Sequence, residues 1–355
     1  MAEASTAQLI PIYVHLISGE EMEVKVNEEA SVKDLRDAIE GVMHVGLFAY
    51  RLVHGSTCLQ QPSAKLRDLG IGEKATVTMM KERSRDYTKI TGAQVMKTNN
   101  NFPNGLAYDA KGQLLVATFF GPLEVYSPQL ELDDRRINVG ANSPSQICVA
   151  GGELLVALRS GGINVLDGET YALKRRITWG RCKPSGIAIC GEEMFVSDSR
   201  SGYLHRLTLS GEHISQRKGG SQWHLVAPSG MCVVEDKLLA VADRGADRVL
   251  LLDVETMEIR GQLPQDEAWH AKTAPMALRM PNDVIVDSAG NLLVMDTCHE
   301  RVAVFRQDGT FVASVLEGFF KDTGNTFSYL ACNHESGAVA ISNNDKHEIA
   351  ILTPS

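Results

Sequence analysis

Five prolines, at positions 103, 144, 184, 228 and 281, are each followed by a polar residue: Asn104, Ser145, Ser185, Ser229 and the pair Asn282 and Asp283. Oxygen donors of this kind suit a hard cation, but two amides and one carboxylate among three hydroxyls make a thin ligand set. Asn and Ser after Pro also shape turns for purely local reasons. The ten histidines include no HxH or HExxH spacing. His299 and His347 follow comparable apolar runs, where two loop imidazoles facing one opening could move protons. Asp243 with Arg248, and Asp296 with Arg301, share an offset of five and read as ion pairs between strands or sheets. There is no Gly-rich phosphate loop and no nucleophile elbow.

The elements that carry these residues repeat. "PNDVIVDSAGNLLVMD", from Pro281, is a hairpin written in one phrase: Pro opens an extended run, β-branched residues follow, Ser-Ala-Gly-Asn turns the chain and a second apolar strand runs back. Related phrases start at 103, 144, 184 and 228, and a version without Pro starts at Ser328. A third strand follows in most copies, as in "RVAVF", "RVLLL", "YLHRL" and "EIAIL". A lone hairpin is marginal in water, so the copies must bury one another, and periods of about 40–50 residues with four strands each are the mark of β-propeller blades. Residues 87–98, "YTKITGAQVMKT", have strand composition and no partner nearby. They are expected to be the outer strand of the last blade, closing the ring.

"VMDTCHERVAVF" and "VADRGADRVLLL", an apolar pair, Asp, four residues, Arg and an apolar strand, resemble the NHL-type repeat of six-bladed propellers. "VSDSRSGYLHRL", from Val196, keeps the Asp only. The resemblance covers 87–355 and implies an all-β six-bladed propeller that binds a protein or peptide client. Gluconolactonase-like propellers hold a divalent metal at the channel mouth with a Glu, two Asn and an Asp. By that likeness Asn104, Asn282 and Asp283 are candidate ligands for Ca or Mg in an alternative reading, a hydrolase or lyase of small metabolites. Trp179, Trp223 and Trp269 each lie before the next phrase, where aromatics either pack sheet on sheet or line a recognition surface; Trp179 and Trp223 are candidate protein-binding residues.

Upstream the period is lost. An alternating hairpin from Ile10 to Val26 with a Ser-Gly turn precedes "SVKDLRDAIEGV", whose Ser31 caps a helix with Val32, Leu35, Ala38 and Ile39 on one face. "YRLVHG", "KLRDLGI" and "ATVTMMK" complete a small α+β unit. Its order, with Ile12, Ser18, Gly19, Val26, Ile39, Arg51, Leu52, Gly55, Leu59, Leu66, Asp68 and Ile71, resembles ubiquitin over 10–83. That implies a β-grasp docking domain whose recognition patch falls on Ile17, Val53, Thr78 and Met80, facing receptors of the ubiquitin and proteasome pathway. Where ubiquitin ends in Gly-Gly this chain reads "KERSRDYTK", so conjugation through that point is not expected.

Of the 35 Lys and Arg and 44 Asp and Glu, ten and thirteen lie up to Tyr87, so both parts are acidic, at −3 and −6. This disfavours nucleic acid as a partner. The one basic stretch, "KRRITWGRCK" at 174–183, is the basis of a third reading, local RNA binding. Seven cysteines without a CxxC, no run of about 20 apolar residues and no basic leader point to a reduced, cytoplasmic or nuclear protein without a membrane span. The residues taken together predict a multidomain, non-catalytic adaptor or scaffold that needs no cofactor.

Overall fold

In strand β1 (Leu9–Leu16) Ile10, Ile12 and Val14 are buried while Pro11, Tyr13 and His15 are not, the period-two pattern of a sheet with one covered face. The computed structural model describes residues 9–16, 21–43, 50–81 apart from 56, 60 and 62, 87, 93–98, 102–139 apart from 120 and 136, 144–218, 225–264 apart from 236, 275–320 apart from 318, and 328–353. The chain divides into two units, Met1–Arg85 and Asp86–Ser355. No helix among the described residues is long and apolar enough to cross a membrane.

In the first unit β1 is followed by β2 (Glu21–Asn27), helix α1 (Val32–Met43), β3 (Tyr50–His54), β4 (Thr57–Cys58) and β5 (Thr76–Lys81). They form one sheet in the order β2-β1-β5-β3-β4, with β1 and β5 parallel at its centre. Ser31 and Asp34 start α1 reciprocally. The Asp34 backbone N–H donates to Ser31 Oγ at 3.3 Å, and Asp34 Oδ2 accepts the Ser31 N–H at 2.7 Å, which holds the Asp34 carboxyl below its usual range. Val32, Leu35 and Ile39 then fall on one stripe and are fully buried against Ile12, Leu52 and Val77 of the sheet.

The second unit is a β-propeller. Among its described residues there are five four-stranded sheets and one three-stranded sheet. Each sheet begins with one of the recurrent phrases, as the strands Pro103–Tyr108, Pro144–Ala150, Pro184–Cys190, Pro228–Val234, Pro281–Val286 and Leu330–Cys332. Each of these entry strands packs beside the next, and the sixth packs beside the first, so they enclose an axis. Both faces of a sheet are covered: Met295 and Val304 of the fifth sheet meet Leu330 and Ile341 of the sixth, while its Val294 and Ala303 meet Ala242 and Leu251 of the fourth. Double coverage explains why second strands such as "LLVM" read as unbroken apolar runs.

The sixth sheet takes its outer strand from the other end of the unit. Gln94–Lys97 pairs antiparallel with Glu348–Leu352, Ile349 lying opposite Met96. Nearby, buried Tyr87 donates its hydroxyl hydrogen to Asp287 Oδ2 at 2.7 Å. Ring closure by strands distant in sequence leaves no open edge at that seam.

Candidate functional site

The heads of five entry strands peel away from their own sheets. Register shifts fall directly after Pro103, Pro144, Pro184, Pro228 and Pro281. Such irregularity re-aims side chains, and here the polar residue after Pro is turned toward the neighbouring sheet. Asn104 Nδ2 donates to the carbonyl of Pro144. Ser145 Oγ donates to the Pro184 carbonyl at 3.0 Å, and Ser197 Oγ to the Ser229 carbonyl at 2.6 Å. Ser229 Oγ donates to Asn282 Oδ1 at 3.3 Å, Asn282 Nδ2 to the Ser328 carbonyl at 2.7 Å, and Ser342 Oγ to the Asn104 carbonyl at 3.0 Å. These bonds run once around the axis and return to their start. Ser185 turns instead to Ser199 of its own sheet, oxygen to oxygen at 2.6 Å.

Close approach explains the third letter of the phrase. A Cβ on Gly105 would lie 2.2 Å from the Ser145 carbonyl oxygen, and one on Gly186 would lie 2.3 Å from that of Ser229. Two sheets carry a long polar side chain at this level, and the two chains meet: Gln146 Nε2 donates to Asp283 Oδ1 at 3.2 Å, while Gln146 Oε1 accepts the Ile187 N–H at 2.8 Å. Asp283 is fully buried and accepts two more N–H groups, from Val284 at 3.0 Å and Leu330 at 2.9 Å. Burial pushes its carboxyl up to about 8, against the downward pull of the Leu330 and Val284 amides. Tyr329 spans the same region, its hydroxyl 3.4 Å from both the Ser185 carbonyl and Arg159 Nη2. Of the three candidate metal ligands, then, Asn282 and Asp283 have their oxygens engaged, and Asn104 Oδ1 is buried without a hydrogen-bond partner.

The remaining candidates are spread over separate places. Asp243 and Arg248 face each other across neighbouring strands at 3.3 Å, as do Asp296 and Arg301 at 2.9 Å, and the Arg301 guanidinium also donates to the Ala277 carbonyl. His299 Nδ1 lies 2.9 Å from the same Asp296, whereas the His347 ring packs at a tilt against Phe102 with centroids 4.3 Å apart. In the basic stretch Arg175 makes two 2.7 Å bonds to Glu153, Lys174 adds a third contact at 2.7 Å, and Arg176 donates to the Gly161 carbonyl. The Arg175 guanidinium above all, with Lys174, lowers the Glu153 carboxyl to about 2. Trp179 is half-buried against the core shared by the second and third sheets. Trp223 and Trp269 lie outside the described residues, as does Ile17.

In the first unit Val53 and Thr78 are cross-strand partners on β3 and β5, both half-buried, and Met80 holds the register position opposite Arg51. Leu52, Val77 and Met79, one position out of phase, are buried in the core. Val53 and Thr78 therefore share the face of the sheet opposite the core.

One cluster was not foreseen. Among the described residues, Cys182, Asp198 and His205 form a group of metal-ligating side chains whose ligand atoms lie within 4.8 Å of one another. Its trace in the sequence was the Asp of "VSDSRSGYLHRL" standing without the Arg found in two sister repeats.

No protein-family model matches the chain. Solved propellers do. Virginiamycin B lyase from Staphylococcus aureus aligns with a TM-score of 0.52 at 11% identity over 74% of this chain and 98% of the lyase. The WD40 propeller domain of Doa1 aligns at 0.53 and 11% identity over 73% and 81%, and a chain of the mitotic checkpoint complex at 0.54 and 12% over 75% and 92%. At these identities the likeness establishes the fold, a β-propeller occupying about three quarters of the chain.

Proposed function

We propose that the chain is a non-catalytic adaptor, in which a ubiquitin-like β-grasp domain at 10–83 docks to ubiquitin- or proteasome-pathway receptors and a six-bladed, NHL-like propeller at 87–355 holds a protein or peptide client. The observation that carries this reading is the first unit's sheet: strand order β2-β1-β5-β3-β4 around a parallel central pair, one face covered by α1, and Val53 beside Thr78 on the other. A small sheet with half-exposed apolar and hydroxyl side chains in register presents a flat contact of the kind a receptor helix or strand can cover. The propeller's part is supported by two similar structures, a WD40 domain and a chain of a multiprotein complex, at the level of fold.

A hydrolase or lyase reading, with Ca or Mg on Asn104, Asn282 and Asp283, draws on the likeness to a lyase and on the unpartnered Asn104 Oδ1. The other oxygens of that set already accept hydrogen bonds within the protein, which supports the non-catalytic reading. RNA binding at 174–183 is disfavoured in the same way, because Lys174 and Arg175 are paired with Glu153. The test is a binding titration of the full chain against an immobilised ubiquitin-receptor module. The parent is expected to bind at micromolar strength and Val53→Asp at least about tenfold more weakly, since an unpaired charge would enter the contact. A parent that does not bind, or a folded variant that binds equally well, overturns the proposal.

A further inference from the structure

The second, third and fourth strands of the third, fourth and fifth sheets pair in the same register, so residues at equivalent positions can be compared one by one. Asp198 pairs with Tyr203, Asp243 with Arg248 and Asp296 with Arg301. All three carboxylates are buried, and each accepts backbone N–H groups from the connection leading into its sheet: Lys183 for Asp198, Val226 and Ala227 for Asp243, Arg279 for Asp296. In the fourth and fifth sheets an arginine supplies the opposite charge. In the third sheet that position is Tyr203, and among the described residues no Lys or Arg side chain is paired with Asp198, which accepts further backbone N–H groups from Arg200 and Ser201. Burying a carboxylate without a counter-charge is costly, so the missing arginine calls for a substitute.

Two further changes occur in the same place. The third strand carries His205 opposite Val196, where the fourth sheet has Leu250 opposite Val241 and the fifth has Ala303 opposite Val294. Cys182 stands two residues before the entry proline, and its side chain, like those of Asp198 and His205, is less than a tenth exposed. This sheet has no arginine at the position its sisters use, and a thiol and an imidazole have their ligand atoms within 4.8 Å of the carboxylate.

We propose that Cys182, Asp198 and His205 bind a divalent transition metal of the zinc class, which supplies the positive charge that Arg248 and Arg301 supply in the sister sheets. The inference is independent of the adaptor reading. Thiolate, imidazole and carboxylate are the ligand types zinc takes, at about 2.0–2.3 Å, which in a tetrahedron separates the ligand atoms by about 3.3–3.8 Å; small side-chain rotations close the present group to that size. His213 Nε2 lies 3.3 Å from His205 Nδ1 and orients the ring from behind, leaving Nε2 of His205 for the ion, the outer partner that metal-bound histidines commonly have. Trp179 stands edge-on to His205 with centroids 5.7 Å apart and covers the site. The ion would tie the connection before the third sheet to that sheet's second and third strands.

The test uses the full chain, stripped with chelator and titrated with cobalt(II), then zinc(II). The parent is expected to take up one cobalt with the thiolate charge-transfer and d–d absorption of a tetrahedral site, and to release it to one equivalent of zinc. Cys182→Ser should lose the charge-transfer band, and His213→Phe should weaken cobalt by about 10–100-fold. Should Cys182→Ser fail to fold, Tyr203→Arg decides: restoring the sister sheets' arginine should keep the melting temperature at or above that of the metal-free parent while abolishing cobalt uptake. A parent that shows no cobalt absorption at micromolar metal, or full uptake by Cys182→Ser and Tyr203→Arg alike, overturns the proposal.

Discussion

The two units bury sheets in opposite ways. In the first, one sheet has a single covered face, and its other face keeps Val53 and Thr78 half-exposed side by side. In the propeller every described sheet is covered on both faces, and the polar residues at the heads of the entry strands are consumed in a closed circuit of hydrogen bonds from Asn104 through Asn282 to Ser342. The contrast teaches that chemically suggestive residues do not mark a site by type alone. Most of the Asn, Ser and Asp side chains at the propeller axis are committed to hydrogen bonds within the fold, whereas an ordinary Val and Thr in the first unit stand half-exposed.

The contrast breaks most severely where a propeller polar group loses its partner. Asp296→Ala leaves the Arg301 guanidinium buried without its carboxylate, and a loss of about 3–5 kcal/mol is expected. All three tryptophans lie in the second unit, so denaturant unfolding followed by tryptophan fluorescence reads that loss directly. Next is Gly105→Ala, whose Cβ would be driven into the Ser145 carbonyl; roughly 1–3 kcal/mol should disappear from the same transition.

A pH-dependent effect comes from Asp283. Its carboxyl titrates near 4 in an unfolded chain and is raised to about 8 in the fold, so the folded state binds the proton more tightly. The contribution of Asp283 to stability is therefore fullest below pH 4, falls by at most about 1.4 kcal/mol per unit as pH rises toward 8, and levels off above it. Asp283→Asn should flatten that slope in fluorescence-detected melts, and an unchanged slope would show that another group sets it. In the first unit Ser31→Ala should cost only about 1 kcal/mol, seen as faster amide exchange in α1 with the propeller transition unmoved.

The propeller was legible in the sequence because its signal is periodic: six phrases, each a strand, a polar turn and a strand, recur at a blade's spacing, and five of the proline-led or serine-led heads lead directly into entry strands. What the polar heads do was not legible. Whether Asn104 faces solvent or Pro144 depends on a register shift and on a neighbour 40 residues away, neither of which residue type encodes. The close approach at Gly105 and Gly186 was hidden for the same reason, since in the sequence those glycines look like turn residues. Cys182, Asp198 and His205 come from a connection and two strands, at spacings no local motif describes, and the single visible trace was an arginine missing at position 203.

The central claim is that recognition resides on the open face of the first unit's sheet. Amide chemical-shift mapping of the isotope-labelled full chain, titrated with an unlabelled ubiquitin-receptor module, tests it most directly. The account predicts saturable perturbations concentrated at Val53, Thr78, Met80 and their strand neighbours, lost in Val53→Asp, with the propeller resonances unmoved. Perturbations confined to the propeller, or none at receptor concentrations well into the millimolar range, would contradict it.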